Sequence, residues 1–272
     1  MCGRYLLTSP LEALRRVFGV RDSAPNLSAR WNIAPTQDAA VVRLRDPRGH
    51  ARGERELALL RWGLVPYWAS DPGIGSRMIN ARGETLADKP AFRSAFKARR
   101  CLVPADGFYE WPTKGQHMEA GQHAPSPSSA PGRSRAPVLV RRRDGAPFAF
   151  AGLWERWVRP EGGVLESFAI VTTAANEMLT PYHDRMPVIL DPGDHDAWLD
   201  ASADARPLLH APPAEVLTVI RVTGYVNSVR HDDEGCVAPS PSPPPVQTPE
   251  PPAEQATKTK RRKTDERQGN LF

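Results

Sequence analysis

Several features that would identify other classes of protein are missing from this sequence. It has only three cysteines, Cys2, Cys101 and Cys236, without a CxxC spacing. Their odd number argues against a disulfide framework or a structural zinc site. No run of about 18 apolar residues occurs, and the first residues lack the hydrophobic segment of a signal peptide. We therefore expect a protein of a reducing, cytoplasmic compartment.

Motifs for metals and organic cofactors are also missing. The seven histidines are scattered, and the HDDE segment at 231–234 lacks the helical or loop context of a metal site. The GIGS segment at 73–76 is too short for a dinucleotide-binding fingerprint. The sequence predicts neither a metal nor a cofactor.

Proline is abundant, with 29 residues, and it is concentrated in two segments that contain few large apolar side chains. Such segments bury too little apolar surface to offset the entropy lost on ordering. We predict one folded domain over residues 1–237, interrupted by a flexible insertion over 113–136. A disordered tail, first proline-rich and then basic, is predicted over 238–272.

The net charge of +5 arises from 36 basic and 31 acidic residues. This mixture favours a local basic groove over a uniformly basic surface. Charge alone does not separate a nucleic-acid-binding protein from an ordinary basic one.

Hydrophobic periodicity predicts short helices among many strands. The first helix has Ser9 as its cap, Pro10 at its first position, Glu12 completing a capping box and Gly19 as its end. The other predictions are a hairpin of DAAVVRLRD with RELALLRWGLVP, a helix around PAFRSAFKARR, one strand over CLVPADGFYEW, a hairpin over PVLVRRRDGAPFAFAGLWERW, a strand over VLESFAIVTT, a short helix at the start of AANEMLTPYHDRMPVIL, a helical turn at DHDAWLD and a strand over AEVLTVIRVT. These elements predict a single α+β domain on a mostly antiparallel, barrel-like β-sheet with short helices.

Cys2 becomes chemically unusual when the initiator methionine is removed, which a small second residue generally allows. The new terminus then carries an α-amine and a thiol on adjacent carbons. The α-amine, with a pKa near ~8, is partly neutral at physiological pH and can attack an aldehyde. The thiol can then add to the imine and close a thiazolidine ring. A cysteine at this position can also be coincidental, but Gly3 allows close approach of a ligand and Arg4 suits a phosphate.

Six motifs occur in order along the chain: MCGRY, WNIAP, WGLVPYW, INAR, ADGFYEW and HDRMP. With YVNS at 225–228, they resemble the SOS response-associated peptidase (SRAP) family over nearly all of the predicted domain. The resemblance implies a sensor and shield of abasic sites, which crosslinks Cys2 to single-stranded DNA through a thiazolidine. It also implies an associated autoproteolytic thiol peptidase activity and, in a bacterium, association with the nucleoid.

The resemblance assigns catalytic roles to four residues: Cys2, Asn80, Glu110 and His183. Asn80 would orient the Cys2 amine or a sugar hydroxyl, and Glu110 would move protons during imine formation. His183 would protonate the opened sugar oxygen or assist the loss of water.

Six further residues are predicted to contact DNA. They are Arg4, Arg82 and Arg185 for phosphates, Trp68 and Trp111 for base stacking, and Pro35 as a wedge. For Arg185, an ion pair with Asp184 is the alternative. For the two tryptophans the alternative is core packing, and regular alternation directs Trp111 away from the face of Glu110 unless a bulge or strand end intervenes.

The last five residues, QGNLF, resemble the bacterial sliding-clamp-binding pentapeptide. Gln268, Leu271 and Phe272 would make the contacts, although Gly269 replaces the usual leucine, and an arbitrary chain end is the alternative. We expect a monomer. Two other functions stay open: a thiol peptidase that acts on protein, and a noncovalent single-stranded DNA-binding module that releases its DNA in high salt.

Overall fold

The computed structural model describes residues 2–21, 25–45, 54–112 and 136–241. Within these ranges the chain forms thirteen β-strands and three α-helices. The strands are β1 (Tyr5–Leu7), β2 (Arg30–Ile33), β3 (Asp38–Leu44), β4 (Arg55–Trp62), β5 (Asn80–Arg82), β6 (Arg100–Ala105), β7 (Gly107–Glu110), β8 (Val138–Arg142), β9 (Phe148–Val158), β10 (Val164–Ala174), β11 (Arg185–Pro187), β12 (Ile189–Leu190) and β13 (Leu217–Arg221). The helices are α1 (Leu11–Phe18), α2 (Arg93–Ala98) and α3 (His195–Leu199).

The predictions for the insertion at 113–136 lie outside the described residues, except at residue 136. The same holds for the tail beyond residue 241, which includes Gln268, Leu271 and Phe272.

Five strands close into a barrel. The hydrogen-bonded order β10–β4–β3–β6–β9 returns to β10, because β9 and β10 also pair with each other. The β4–β10 pair is parallel and the other four are antiparallel. Closure satisfies the backbone donors and acceptors that an open sheet would leave at its edges. The prediction of a mostly antiparallel, barrel-like sheet is confirmed.

A second sheet of five strands has the order β13–β8–β7–β1–β2. It is joined to the barrel where β6 ends and β7 begins, with only Asp106 between them. The buried Asp106 carboxylate accepts bonds from the backbone N–H groups of Thr8 and Ser9 at 2.5 and 2.7 Å. The single strand predicted over CLVPADGFYEW is therefore wrong, because this carboxylate holds a bend that passes the chain from one sheet to the other.

The predicted cap of the first helix is also wrong in its detail. Helix α1 begins after Pro10, which is its cap residue, and no side chain caps it. The Ser9 hydroxyl instead donates to Asp106 at 2.6 Å. Gly19 ends the helix in the left-handed conformation, φ 66°, as predicted.

Two further expectations differ from the structure. Strands β8 and β9 do not form a hairpin, because β8 pairs with β7 and β13 whereas β9 pairs with β6, β10 and β12. The turn at Gly145, φ 73°, does form, but it connects the two sheets. Residues 177–182 form turns instead of the predicted helix. There the Asn176 side chain accepts from the backbone of Leu179, which competes with helix formation.

Aromatic side chains fill the core where β1 meets the barrel. The Tyr5 ring meets Trp62 and Phe150 edge to face, with centroids 5.2 and 5.8 Å apart. Trp62 stacks on Phe168 at 6.3 Å. Burying a side chain of this size contributes about 1.5–3 kcal/mol. Because Tyr5 lies three residues after Cys2, this packing holds the start of the chain against the barrel.

Candidate active site

Cys2 lies fully buried at the end of the second sheet. Strand β1 pairs with β7 through Tyr5 and Phe108, and the Tyr109 N–H donates to the Arg4 carbonyl at 2.9 Å. The antiparallel direction therefore carries Glu110 towards Cys2. The Asn80 side-chain amide donates to the Cys2 carbonyl at 2.8 Å.

Burial raises the pKa values of the two ionisable groups of this site, the Cys2 thiol and the Glu110 carboxyl. It raises the pKa of the Cys2 thiol, and the charge of Glu110 raises it further. Burial also raises the pKa of the Glu110 carboxyl to about 7, and Asp184 adds to the rise. The thiol is therefore neutral at physiological pH, whereas the carboxyl is present in both forms and can accept or donate a proton. Because Glu110 acts on the Cys2 thiol and Asn80 bonds the Cys2 carbonyl, these three residues lie in one site.

Strand β5 positions Asn80 and Arg82 together. It runs parallel to β10, with Asn80 opposite Ile170 and Arg82 opposite Thr172. Because side chains alternate along a strand, Asn80 and Arg82 share one face, whereas the buried Ala81 points into the core. Arg82 is exposed. The predicted arginine thus lies on the same face of β5 as the residue that contacts Cys2.

His183 lies on the turn before β11. Its Nδ1 atom is 2.9 Å from the Arg185 backbone N–H and 2.9 Å from the Asp184 carboxylate. The Arg185 N–H needs Nδ1 as an acceptor, whereas the Asp184 carboxylate needs it as a donor, so the two contacts compete for this atom. Burial lowers the pKa of His183 and so favours the neutral ring. Since Asp184 also acts on Glu110, this turn lies within electrostatic range of the site.

Arg185 pairs with Glu84, so the alternative of an ion pair with Asp184 is wrong. Its guanidinium donates to both Glu84 carboxylate oxygens, at 2.5 and 2.9 Å, and to the Thr172 carbonyl at 2.8 Å. The Arg185 hydrogen bond lowers the pKa of Glu84. A phosphate contact by Arg185 stays a prediction, and it would compete with Glu84.

Arg4 and Trp111 connect the start of the chain to the YVNS segment. Arg4 Nη1 donates to Asn32 Oδ1 at 2.7 Å and to the Val226 carbonyl at 3.0 Å. Its guanidinium lies 5.6 Å from the centre of the Trp111 ring, and the Trp111 indole donates to Asn227 at 2.8 Å. These contacts give Arg4 a structural role beside its predicted phosphate contact, which stays a prediction.

Trp111 packs beside Tyr109, with ring centroids 6.4 Å apart, in the small cluster opposite the barrel core. It therefore lies on the face opposite Glu110, as alternation predicts. The ring is partly buried and held by Arg4. Its predicted stacking on a base stays a prediction.

Trp68 lies at the surface, and Pro35 is partly buried in a turn. Trp68 is 50% exposed, so the alternative of core packing is wrong for this residue. Pro35 is in a turn closed by the Gln37 N–H and the Ala34 carbonyl at 3.3 Å. The next residue, Thr36, has φ 72°. A β-branched residue rarely adopts this left-handed conformation, and such strain is concentrated at functional sites.

The sequence did not single out several residues that build this region. Asn32 is fully buried, and its amide donates to the carbonyls of Ser228 and His231 at 2.9 and 2.7 Å. Asp232, part of HDDE, accepts from the backbone of Trp31 and Asn32. The position of Asn32 within the WNIAP motif was the one available signal. Among the described residues, no helix is long and apolar enough to cross a membrane.

The fold is thus a mixed barrel that buries a cysteine at position 2 near an amide and a carboxyl of raised pKa. The family model of SOS response associated peptidase (SRAP) matches residues 1–229. The chain belongs to this family.

Similar proteins and structures cover most of the chain. Abasic site processing protein YoqW of Bacillus subtilis is 34% identical over 238 residues, which is 85% of this chain and 96% of the relative. Abasic site processing protein HMCES of Xenopus tropicalis is 31% identical and covers 88% of this chain and 78% of its own. A solved Bordetella bronchiseptica protein has a TM-score of 0.64 at 28% identity, covering 82% of this chain and all of its own.

A solved protein of Bacteroides thetaiotaomicron has a TM-score of 0.71 at 22% identity. It covers 88% of this chain and 100% of its own. At this identity the match supports the fold alone.

Proposed function

We propose that the protein processes abasic sites in single-stranded DNA, and that its mature Cys2 forms a thiazolidine crosslink with them. The observation that carries the proposal is the buried Cys2, whose carbonyl accepts a hydrogen bond from Asn80 and whose thiol is affected by the charge of Glu110. The names of the curated relatives, abasic site processing proteins, support the choice of substrate. A DNA-damage role for the family fits both the geometry around Cys2 and the names of these relatives.

The reaction needs no cofactor to balance. Hydrolysis of the Met1–Cys2 bond first releases the α-amine. The amine adds to the aldehyde carbon of the ring-opened abasic sugar, and the carbinolamine loses water to form an imine. The thiol sulfur then bonds to the imine carbon and its proton passes to the imine nitrogen. The product keeps every atom of the mature protein, without Met1, and of the DNA except one water molecule.

Glu110 is the proposed proton carrier. With a pKa of about 7, it can accept a proton from the attacking amine and return it to the leaving hydroxyl. His183 would donate a proton to the opened sugar oxygen. Asn80 holds the Cys2 carbonyl and so fixes the terminus from which the amine attacks. A neutral thiol must lose its proton as sulfur attacks, and Glu110 is the nearby group suited to receive it.

The strand is proposed to pass over Arg82, Trp68 and Pro35, where a cation, an exposed ring and a turn tip are available. The DNA strand would also contact Trp111, Arg4 and Arg185, which make contacts within the protein as well. The tail would tether the protein to a sliding clamp through QGNLF, and the protein would act as a monomer. Association with the nucleoid would follow from DNA binding.

The decisive experiment uses a single-stranded oligonucleotide whose one uracil has been removed by a glycosylase. We expect a protein band that survives denaturing electrophoresis and that Cys2→Ala abolishes. The Cys101→Ala and Cys236→Ala variants are matched thiol controls, and both should crosslink normally. A band of equal strength with Cys2→Ala would disprove the mechanism, whereas binding that high salt removes entirely would indicate a noncovalent module.

An autoproteolytic activity is a second proposal, which the family name supports. Glu110 beside Cys2 could assist hydrolysis of the Met1–Cys2 bond. The raised pKa of the thiol argues against a general thiol peptidase, because the thiolate is the nucleophile in such enzymes. Mass spectrometry of Glu110→Gln made by cell-free translation without an aminopeptidase tests it. Retention of Met1 in this variant alone supports self-processing, and equal processing in both proteins contradicts it.

A further inference from the structure

A basic cavity lies beside α2, outside the site described above. Its volume is about 590 Å³, and it is lined by Tyr67, Arg93, Lys97 and Arg100 together with Ala87, Ser94, Phe96, Ala201, Ala203, Asp204 and Ala205. Three of these side chains are cationic and one is acidic. We propose that this cavity, here called the α2 cavity, is a second subsite for single-stranded DNA, which binds a backbone phosphate and stacks a base on Tyr67.

The two cations on α2 are placed to bind an anion. Arg93 and Lys97 are exposed and lie four residues apart, so they share one helix face. Like charges at this spacing repel each other and destabilise the helix. Within the described ranges, no ion pair joins either residue to a carboxylate. A phosphate between them would remove the repulsion.

The floor of the α2 cavity adds positive charge. The buried Arg100 guanidinium donates to backbone carbonyl oxygens, among them those of Phe96 and Trp198. Carbonyls satisfy its hydrogen bonds but leave its charge in place. Asp200 and Asp204 act on this charge, yet the Asp204 carboxylate is itself paired with Arg206 at 2.8 Å. The cavity therefore keeps a net positive character.

Tyr67 supplies the aromatic face. Its side chain is 59% exposed, so the face of the ring is open to a stacking partner. An exposed ring beside two cations is the arrangement with which proteins hold single strands, because every base has a face that stacks and every nucleotide has a phosphate. The same pairing does not suit an acidic peptide, which would leave the ring uncovered.

The α2 cavity is connected to the proposed active site by a run of turns. The N–H of Leu86 donates to the Arg82 carbonyl at 2.9 Å, and that of Arg93 donates to the Lys89 carbonyl at 2.9 Å. Ala87, at the cavity edge, follows Arg82 by five residues, so the two lie within about 17 Å. Trp68 contacts the same turns through Pro90 at 3.5 Å. A strand that crosses Arg82 and Trp68 would therefore continue into the cavity on one side of Cys2.

This inference rests on the proposed function only for the position of the DNA strand relative to Cys2. The test therefore compares full-length wild type with Arg93→Glu/Lys97→Glu in two assays. The matched control, Arg16→Glu/Arg156→Glu, reverses two exposed arginines that do not line the cavity. The first assay measures binding of undamaged single-stranded DNA against salt. The second measures the rate of crosslinking to oligonucleotides whose abasic site is near the 5′ end or near the 3′ end.

We expect the cavity variant to bind undamaged DNA about tenfold more weakly and to reduce the salt slope by about 0.7, which corresponds to one lost phosphate contact. It should slow crosslinking to one of the two end-placed substrates only. Tyr67→Ala should weaken binding about fivefold or more, and Tyr67→Phe, which keeps the ring, should restore it. An equal loss in the control variant, or an equal loss on both substrates, overturns the subsite.

The two failures are distinguishable. If no protein crosslinks but the cavity variant still loses affinity and salt slope, the chemistry is wrong and the subsite stands. If wild type and cavity variant crosslink both substrates equally and bind undamaged DNA equally, the subsite is wrong and the chemistry stands.

Discussion

Replacement of Glu110 by glutamine should change how the stability of the protein depends on pH. Glu110 is 3% exposed, and burial raises its pKa from 4.5 to about 7. The folded state therefore holds a proton that the unfolded state releases between those two values. The stabilising contribution is complete below about pH 4.5 and is lost as pH rises to about 7. A shift of this size corresponds to about 3 kcal/mol.

Glutamine has nearly the same shape and does not titrate, so the variant should lack this loss. We expect the free energy of unfolding of wild type, relative to Glu110→Gln, to fall by about 2–3 kcal/mol between about pH 5 and about pH 8.5. Urea titrations at both pH values, with the midpoint and slope fitted for each protein, measure the difference. The subtraction cancels the other titrating groups. Parallel curves for the two proteins would refute the argument that burial holds this carboxyl protonated.

Three further predictions concern neighbouring residues. Glu110→Gln should slow crosslinking about 100-fold or more at neutral pH, measured by single-turnover gel assay, and an unchanged rate would exclude proton transfer by Glu110. Asn80→Ala removes the hydrogen bond to the Cys2 carbonyl and should lower the crosslinking rate, whereas the DNA affinity should stay within about threefold; equal losses in both would indicate a DNA contact instead. Thr36→Gly should raise the free energy of unfolding by about 1 kcal/mol by relieving the positive φ, and a lower urea midpoint would contradict this.

The sequence predicted most elements whose signals are local. Strands β3, β4, β10 and β13 and helices α1 and α2 follow from periodicity within each segment. The errors arise where distant residues decide the structure. Asp106 splits a predicted strand because Thr8 and Ser9, nearly one hundred positions away, supply its hydrogen-bond donors. No local pattern contains that information.

The candidate site shows the same division. The motifs identified Cys2, Asn80 and Glu110, because a motif can be recognised in the sequence without knowledge of the packing. The fold brings these three residues together. The partner of Arg185 could not be predicted, since Glu84 is about one hundred positions away and reaches it only because β5 and β11 both pair with β10. The raised pKa of Glu110 likewise depends on burial, which only the assembled sheets create.

The mass of the intact adduct tests the central claim most directly. Wild-type protein should be crosslinked to an abasic oligonucleotide, treated with borohydride and measured by mass spectrometry. The account predicts a mass equal to mature protein without Met1 plus DNA minus one water, unchanged by the reductant because the thiazolidine ring has no imine. An adduct that retains Met1, or that gains two hydrogens on reduction, would contradict ring closure by the amine and thiol of Cys2.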